Sequence, residues 1–268
     1  MLPIDAGKRN TAKVEIGFGT HMGSVRRENE DRYFVAPEFG VFAVADGMGG
    51  HEEGALASAI VVEALGSIGA AVSAPDLLAR LEDRVLRANA KLCAAGRTRG
   101  GVVGSTLAVL LTFDDRFACV WSGDSRIYLL RDGGLTQLSR DHTEARDLVE
   151  KGILTVEEAR VWPRRNVITR ALGARPEPEL ELEHGLLVSG DTFVICTDGL
   201  TAHVEDAEIR SIGERLAPQG ACDALIALTL ERGASDNVTV VIMRSGTITT
   251  TSDQTVVLPA MLPDGGEP

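Results

Sequence analysis

Six acidic side chains stand where strands should give way to turns. Asp46 closes the apolar run Val41-Phe42-Ala43-Val44-Ala45 and is followed by Gly47. Asp198 follows a second apolar run and precedes Gly199. Asp124 lies in the turn Ser122-Gly123-Asp124-Ser125 of an expected hairpin. Asp236 begins the last expected strand, and Glu30 and Asp31 begin an early one. A single aspartate in such a place ordinarily caps a turn. Several converging on one rim would repel each other, and a hard divalent cation with oxygen ligands relieves that repulsion. Mg²⁺ or Mn²⁺ suits such a set better than Zn²⁺. The pattern leaves both readings open. Arg26, three residues before Asn29, ordinarily reads as a surface ion pair. Beside cation-bound carboxylates, its forked donors suit a phosphate oxyanion.

Those residues must be positioned by the elements between them. Residues 12–18, 32–45, 179–183, 192–197 and 237–243 read as strands. The stretch 105–138 holds four more short ones, separated by turn signals too short for parallel crossovers. Helices fit 52–69, 76–94, 206–216 and 219–231, and two short ones fit 142–166. The first buries Ala57, Ile60, Val61, Ala64, Leu65 and Ile68. The second, capped at Ser73, buries Leu78, Leu81, Val85, Ala88 and Leu92. Thr155 and Glu158 have capping-box spacing, and Gly233 is a stop for the last helix. Helices therefore gather in pairs. The expected fold class is α+β: a four-layer α-β-β-α sandwich of two mostly antiparallel sheets packed face to face, with helices on both outer faces.

Composition bounds the function. The chain has 268 residues, 27 basic and 39 acidic, for a net charge of −12, which disfavours nucleic acid or an anionic membrane as partner. No apolar run is long enough to span a bilayer or resemble a signal peptide, so the expected location is cytoplasmic. Cys93, Cys119, Cys196 and Cys222 are widely spaced and read as buried free thiols. Cys119 and Cys196, the cysteines nearest the acidic positions, lie within apolar strands and lack a CxxxxxR signature, and the chain has no GxxxxGK loop and no G-x-S-x-G nucleophile. His51 reads as exposed or a local cap, and His184 and His203 have no partner spacing. Residues 1–11 form a short lead. Residues 12–244 form one domain, with a basic flap around 143–166. Residues 245–268, with no Lys or Arg, form a flexible tail in which Thr255-Val256-Val257-Leu258 is a candidate edge strand.

An ordered series of segments resembles the metal-dependent protein serine/threonine phosphatases of the type 2C class, in their bacterial form. Gly23 to Asp31 is similar to the first family motif, and Ala45-Asp46-Gly47-Met48-Gly49-Gly50 to the second. Gly104-Ser105-Thr106, Ser122-Gly123-Asp124-Ser125-Arg126 and Leu138 to His142 follow in family order. Asn166 to Gly173, Cys196-Thr197-Asp198-Gly199-Leu200 and Ser235-Asp236-Asn237-Val238-Thr239 complete it. The resemblance covers roughly residues 12–244 and implies one phosphatase domain of this sandwich fold.

By that resemblance, Asp46 bridges two core ions, Mn²⁺ or Mg²⁺, and the Gly47 carbonyl contacts one. Asp198 and Asp236 ligate the other. Glu30 acts through water, Asp31 supports the site, and Asp124 with Asp198 holds a third, weaker ion. Arg26 binds the phosphate. A metal-activated water then hydrolyses phosphoserine or phosphothreonine directly. The implied partners are phosphoproteins made by a Ser/Thr kinase, and the implied state is a monomer. The alternative is a catalytically silent phosphoprotein-binding module on the same fold. The chain departs from the family at Met48, where eukaryotic relatives place a histidine proton donor, so a metal-bound water is the expected donor. His142 reads as structural. His21 stands where the family has Asp. Trp162, in the flap, reads as an anchor or as a contact for the phosphoprotein, and Arg160, Arg164 and Arg165 as substrate contacts or solvated charge.

Overall fold

The computed structural model describes residues 14–49 and 53–246. The lead at 1–11, the reading of His51 and the edge strand at 255–258 lie outside them. In chain order the chain builds β1 (Val14–His21), β2 (Asp31–Ala36), β3 (Val41–Met48), α1 (Glu53–Leu65), α2 (Ala74–Arg99), β4 (Gly104–Ser105), β5 (Leu107–Phe113) and β6 (Arg116–Ser122). There follow β7 (Arg126–Arg131), β8 (Gly134–Gln137), α3 (Glu144–Glu150), α4 (Val156–Arg160), β9 (Glu181–Leu186) and β10 (Thr192–Cys196). The chain then forms α5 (Asp198–Thr201), α6 (Asp206–Arg215), α7 (Pro218–Glu231) and β11 (Val238–Ser245).

Two antiparallel sheets, ordered β1-β11-β10-β7-β8 and β2-β3-β5-β6-β9, form the middle layers, with β4 pairing β3. The period of two along each strand divides the side chains between cores. In β3, Val41, Ala43 and Ala45 face α1 and α2, whereas Phe42 and Val44 enter the core between the sheets. In β10, Phe193 and Ile195 face between the sheets, whereas Val194 and Cys196 join the core under α6 and α7. Both faces of β3 and β10 are covered, which is why these two strands read as unbroken apolar runs. The expected four-layer sandwich is the observed one.

Several boundaries differ for local reasons. The stretch 32–45 is a hairpin, turned at Gly40 with φ 69°. Helix α1 ends at Leu65 rather than 69. Helix α2 runs on to Arg99, where Gly100 in the left-handed region caps it. Its N-cap is Ser73, as expected, but Leu77 is buried and Leu78 only partly so. The capping box of Thr155 and Glu158 forms. Helix α5 and strand β4 are too short to give a periodic signal. Cys119, Cys196 and Cys222 are buried, whereas Cys93 is only half-buried, at the edge of α2.

The main correction concerns Asp124. Its turn does not close a hairpin, because β6 and β7 lie in different sheets. The segment 122–125 carries the chain from one sheet to the other. Hairpins and sheet crossings use the same small and acidic turn residues, so local sequence does not separate them.

Candidate active site

Asp31 and Asp46 are partners across the β2–β3 ladder, so the hairpin register places one carboxylate beside the other. Asp198 opens α5 directly after β10 and Asp236 lies two residues before β11, so both come from the opposite sheet. Asp198 and Asp46 share a side-chain hydrogen bond. Asp124 joins from the crossing between sheets. Arg26, from the loop before β2, donates from Nη2 to Asp236 Oδ2 at 2.6 Å. All six acidic residues and Arg26 therefore meet at one end of the sandwich.

The two Asp-Gly pairs are not turns. A Cβ on Gly47 would stand 1.9 Å from the Gly54 carbonyl oxygen, and one on Gly199 would stand 1.8 Å from that of Asn237. Each glycine lets a second backbone segment close against the strand end that carries the aspartate. Gly199→Ala is expected to destabilise the protein by about 1–3 kcal/mol through this overlap. A thermal melt of the variant checks it, and an unchanged melting temperature would contradict the close approach.

The site is held by polar residues whose types alone did not announce a role. Asn237 Oδ1 accepts the Glu30 backbone N–H at 2.8 Å, while Nδ2 donates to the carbonyls of Met22 and Glu28. The last motif thus clamps the first. Thr106 Oγ1 accepts the Asp46 N–H at 3.0 Å and bonds Ser125 Oγ at 2.8 Å, linking β3 to the Asp124 turn. Arg126 grips Asp141 through Nε and Nη2 and donates to the Tyr128 hydroxyl. Its charge favours ionised Asp124 and Asp198. The Glu30 carboxylate accepts the Gly54 N–H near the start of α1.

Histidines and the flap are structural where the contacts are seen. His142 is 2 % exposed, and its Nδ1 accepts the Gly123 N–H at 3.1 Å, which braces the turn before Asp124. Nε2 stands 3.2 Å from Glu181 Oε1. Burial, with Arg170 adding to it, lowers the imidazole pKa. His21 Nδ1 accepts the Gly23 N–H at 2.9 Å, ordering the start of the first motif. His203 Nε2 accepts the Ser235 N–H at 3.1 Å, a partner the sequence spacing did not suggest. Trp162 is half-buried and donates to Glu144 Oε1 at 3.3 Å, and Arg164 pairs with Glu144 Oε2 at 2.8 Å. The anchor reading of Trp162 fits these bonds. Arg160 and Arg165 are exposed.

Electrostatically the cluster is under tension. Desolvation, then repulsion from Asp31 and Asp198, raises Asp46 well above the usual carboxylate range. Desolvation and Asp198 do the same to Asp124. Burial pushes Asp31 up to about 7, against the pull of two threonine hydroxyls. Desolvation and then Asp236 raise Asp198. Burial raises Glu30, with Arg26 pulling back. Asp31 Oδ1 and Asp124 Oδ1 are buried and have no hydrogen-bond partner, which is costly for a carboxylate. Among the described residues, no three His, Cys, Asp or Glu side chains form a ready-made metal cage. The ion pair between Asp236 and Arg26 and the bond between Asp198 and Asp46 are the arrangement present instead. By contrast, the Cys119, Cys196 and Cys222 thiols are all pushed up by burial, which disfavours a thiolate nucleophile. An apolar groove of about 600 Å³ between the start of α2 and β5, β6 and β9 shares no residue with the cluster.

Comparison with known proteins identifies the family. The family described as Protein phosphatase 2C matches residues 19–231, and the chain belongs to that family. Among curated relatives, the serine/threonine protein phosphatase PstP of Mycobacterium tuberculosis is 39% identical over 223 residues. The match covers 82% of this chain but 43% of PstP, so the chain spans less than half of that relative. Among solved structures, PppA of Pseudomonas aeruginosa superposes with a TM-score of 0.82 at 36% identity, over 88% of this chain and 99% of that one. The catalytic domain of PstP in complex with two manganese ions gives a TM-score of 0.78 at 35% identity, over 88% and 100%. Among the described residues, no helix is long and apolar enough to cross a membrane.

Proposed function

We propose that the protein hydrolyses phosphoserine and phosphothreonine in phosphoproteins, reversing the action of a Ser/Thr kinase, with divalent cations held by the carboxylate cluster. One observation carries the reading: five aspartates from two sheets and a crossing turn gather beside Arg26, with two buried carboxylate oxygens left unpartnered. Such a set is unfavourable without a cation and suits a hard one, because every donor is oxygen. The solved PstP domain with two manganese ions supports the same reading. In this reading Asp46, the Gly47 carbonyl, Asp198 and Asp236 would hold the two core ions. Glu30 would contribute through water, Asp31 would support the site from close by, and Asp124 with Asp198 would hold a third, weaker ion. Oxygen donors accept both Mn²⁺ and Mg²⁺.

When bound, the cations lower the pKa of water and offset phosphate charge. The remaining work falls to side chains. Arg26 is 49 % exposed at the side chain and pairs with Asp236 through Nη2, so a turn of its guanidinium would let it donate paired N–H bonds to the oxygens of a substrate phosphate. Met48 has no proton to give a leaving alkoxide. His142 has both nitrogens engaged and is buried, so it does not serve either. Neither of these side chains supplies the leaving-group proton, and a water at the cation site would be the donor. Catalysis then rests on placement and charge, as suits phosphoryl transfer.

The test is phosphate release from a phosphothreonine peptide with Mn²⁺ and with chelator. Release that requires the metal is expected. Tight peptide binding with no release in either condition would overturn the reading in favour of a silent binding module.

A further inference from the structure

Thr239 sits in a strand whose neighbours are Val238 and Val240, and it is completely buried. Valine has the same shape and would pack there without a hydroxyl to satisfy. Thr197 is equally buried. It occupies the N-cap of α5, where a threonine ordinarily bonds a backbone N–H of the first turn. Here it makes no such bond. Both hydroxyls go elsewhere. Thr197 Oγ1 donates to Asp31 Oδ2 at 2.8 Å, and Thr239 Oγ1 donates to the same oxygen at 2.7 Å.

The bonds continue outward with one direction. Asn29 Nδ2 donates to Thr20 Oγ1 at 2.9 Å, and Thr20 Oγ1 lies 2.7 Å from Thr239 Oγ1. Because Thr239 donates to Asp31, the proton between the two threonines belongs to Thr20. The chain runs Asn29, Thr20, Thr239, Asp31, each link polarising the next. Asn29 Oδ1 also accepts the Asp31 N–H at 3.1 Å, and Thr197 Oγ1 accepts the Thr239 N–H at 3.0 Å. Thr20 and Thr239 are register partners on β1 and β11, and Thr197 follows β10, all in one sheet. Asp31 opens β2 in the other.

We infer that Thr20, Thr239 and Thr197 are positioning residues that fasten Asp31 across the sandwich and thereby fix Asp31 and Asp46, from one sheet, in register with Asp198 and Asp236, from the other. The inference rests on the metal centre proposed above. A centre shared between two sheets is only as well defined as the registration of those sheets. Apolar contacts between the sheets carry no direction, whereas two hydroxyls on one buried carboxylate oxygen fix both distance and angle. The clamp takes Oδ2 and leaves Oδ1 as the only unpartnered oxygen of Asp31.

The experiment measures Mn²⁺ affinity by isothermal titration calorimetry for wild type, Thr239→Val, Thr197→Val and the two matching serine variants. Folding is checked by circular dichroism and by melting in chelator. Each valine variant is expected to bind Mn²⁺ about 10–100-fold more weakly, the range for partners one shell removed from a metal. Each serine variant should recover most of the loss, because it restores the donor. Folded valine variants with wild-type affinity overturn the inference, even if their melting temperature falls, since that is a purely structural role. Should a valine variant not fold, Thr20→Val at an exposed strand position decides. A severalfold loss of affinity supports the inference, and no change overturns it. Wild-type protein that takes up no Mn²⁺ removes the metal centre itself, and the inference falls with it.

Discussion

Asp198→Asn is expected to abolish metal-dependent phosphate release while leaving the protein folded. The substitution keeps the shape of the side chain and removes one negative charge. In the proposed site Asp198 serves a core ion directly, so the loss should exceed the roughly 100-fold typical of outer partners. The accompanying stability change has the opposite sign to ordinary damage. Asp198 lies against Asp46 and is repelled by Asp236, and desolvation already disfavours its ionised form. Removing that charge in chelator relieves repulsion, so the melting temperature of the metal-free variant should equal or exceed that of wild type. The added stability that Mn²⁺ gives wild type by binding only the folded state should shrink in the variant. Equal release from the two proteins would sink the assignment of Asp198. A variant that melts lower in chelator would show that the carboxylate is not under repulsive strain.

The second large effect concerns pH. Metal-free protein is expected to lose stability as pH rises toward 8. A carboxyl whose folded pKa exceeds its unfolded value holds its proton more tightly when folded. The stability this confers is complete below the unfolded value near 4 and is lost as pH rises through the folded value. For Asp31 that window runs from about 4 to about 7, and Asp46, Asp124 and Asp198 shift in the same direction. His142 works the other way. Its lowered pKa gives stability that is present above about 6.5 and lost as pH falls. Exposed carboxylates such as Glu208, held down to about 2 by Arg232, act only below the usual carboxylate range.

Comparing pH 6.5 with pH 8 therefore isolates the buried cluster. In chelator the melting temperature should fall across that interval, by about 2–4 °C for each kcal/mol lost in a chain of this size. Excess Mg²⁺ or Mn²⁺ should flatten the fall or reverse it, because a cation favours the ionised carboxylates. Asp31→Asn should remove only the part of the fall that lies below about pH 7. A melting temperature that is level or rising in chelator would mean that the cluster is solvated like surface carboxylates.

Much of this molecule follows from short-range pattern. The unbroken apolar runs Val41–Ala45 and Phe193–Cys196 fit strands covered on both faces, as these two are. The Ser73 cap and the Thr155–Glu158 box form as their spacing requires. The positions of Asp46, Asp198 and Asp236 are legible because an apolar run stops at the first two and starts just after the third. The order of the motifs is also legible, and with it the family.

What spacing does not contain is which sheet a strand joins. The turn at 122–125 has the chemistry of a hairpin, yet it crosses the sandwich, and only the pairing of β6 with β9 and of β7 with β10 and β8 decides this. The same holds for the glycines after Asp46 and Asp198. They read as turn residues, but their need is set by carbonyls of Gly54 and Asn237 that arrive from other segments. Thr197 and Thr239 look like ordinary strand and cap residues until Asp31, more than 160 positions away, is brought against them. Propensity and periodicity act over a few residues, whereas burial of a charge is a property of everything packed around it. The sequence by itself therefore determined the elements and the acidic candidates. Tertiary packing alone decided which carboxylates share one desolvated space, and hence which of them repel one another.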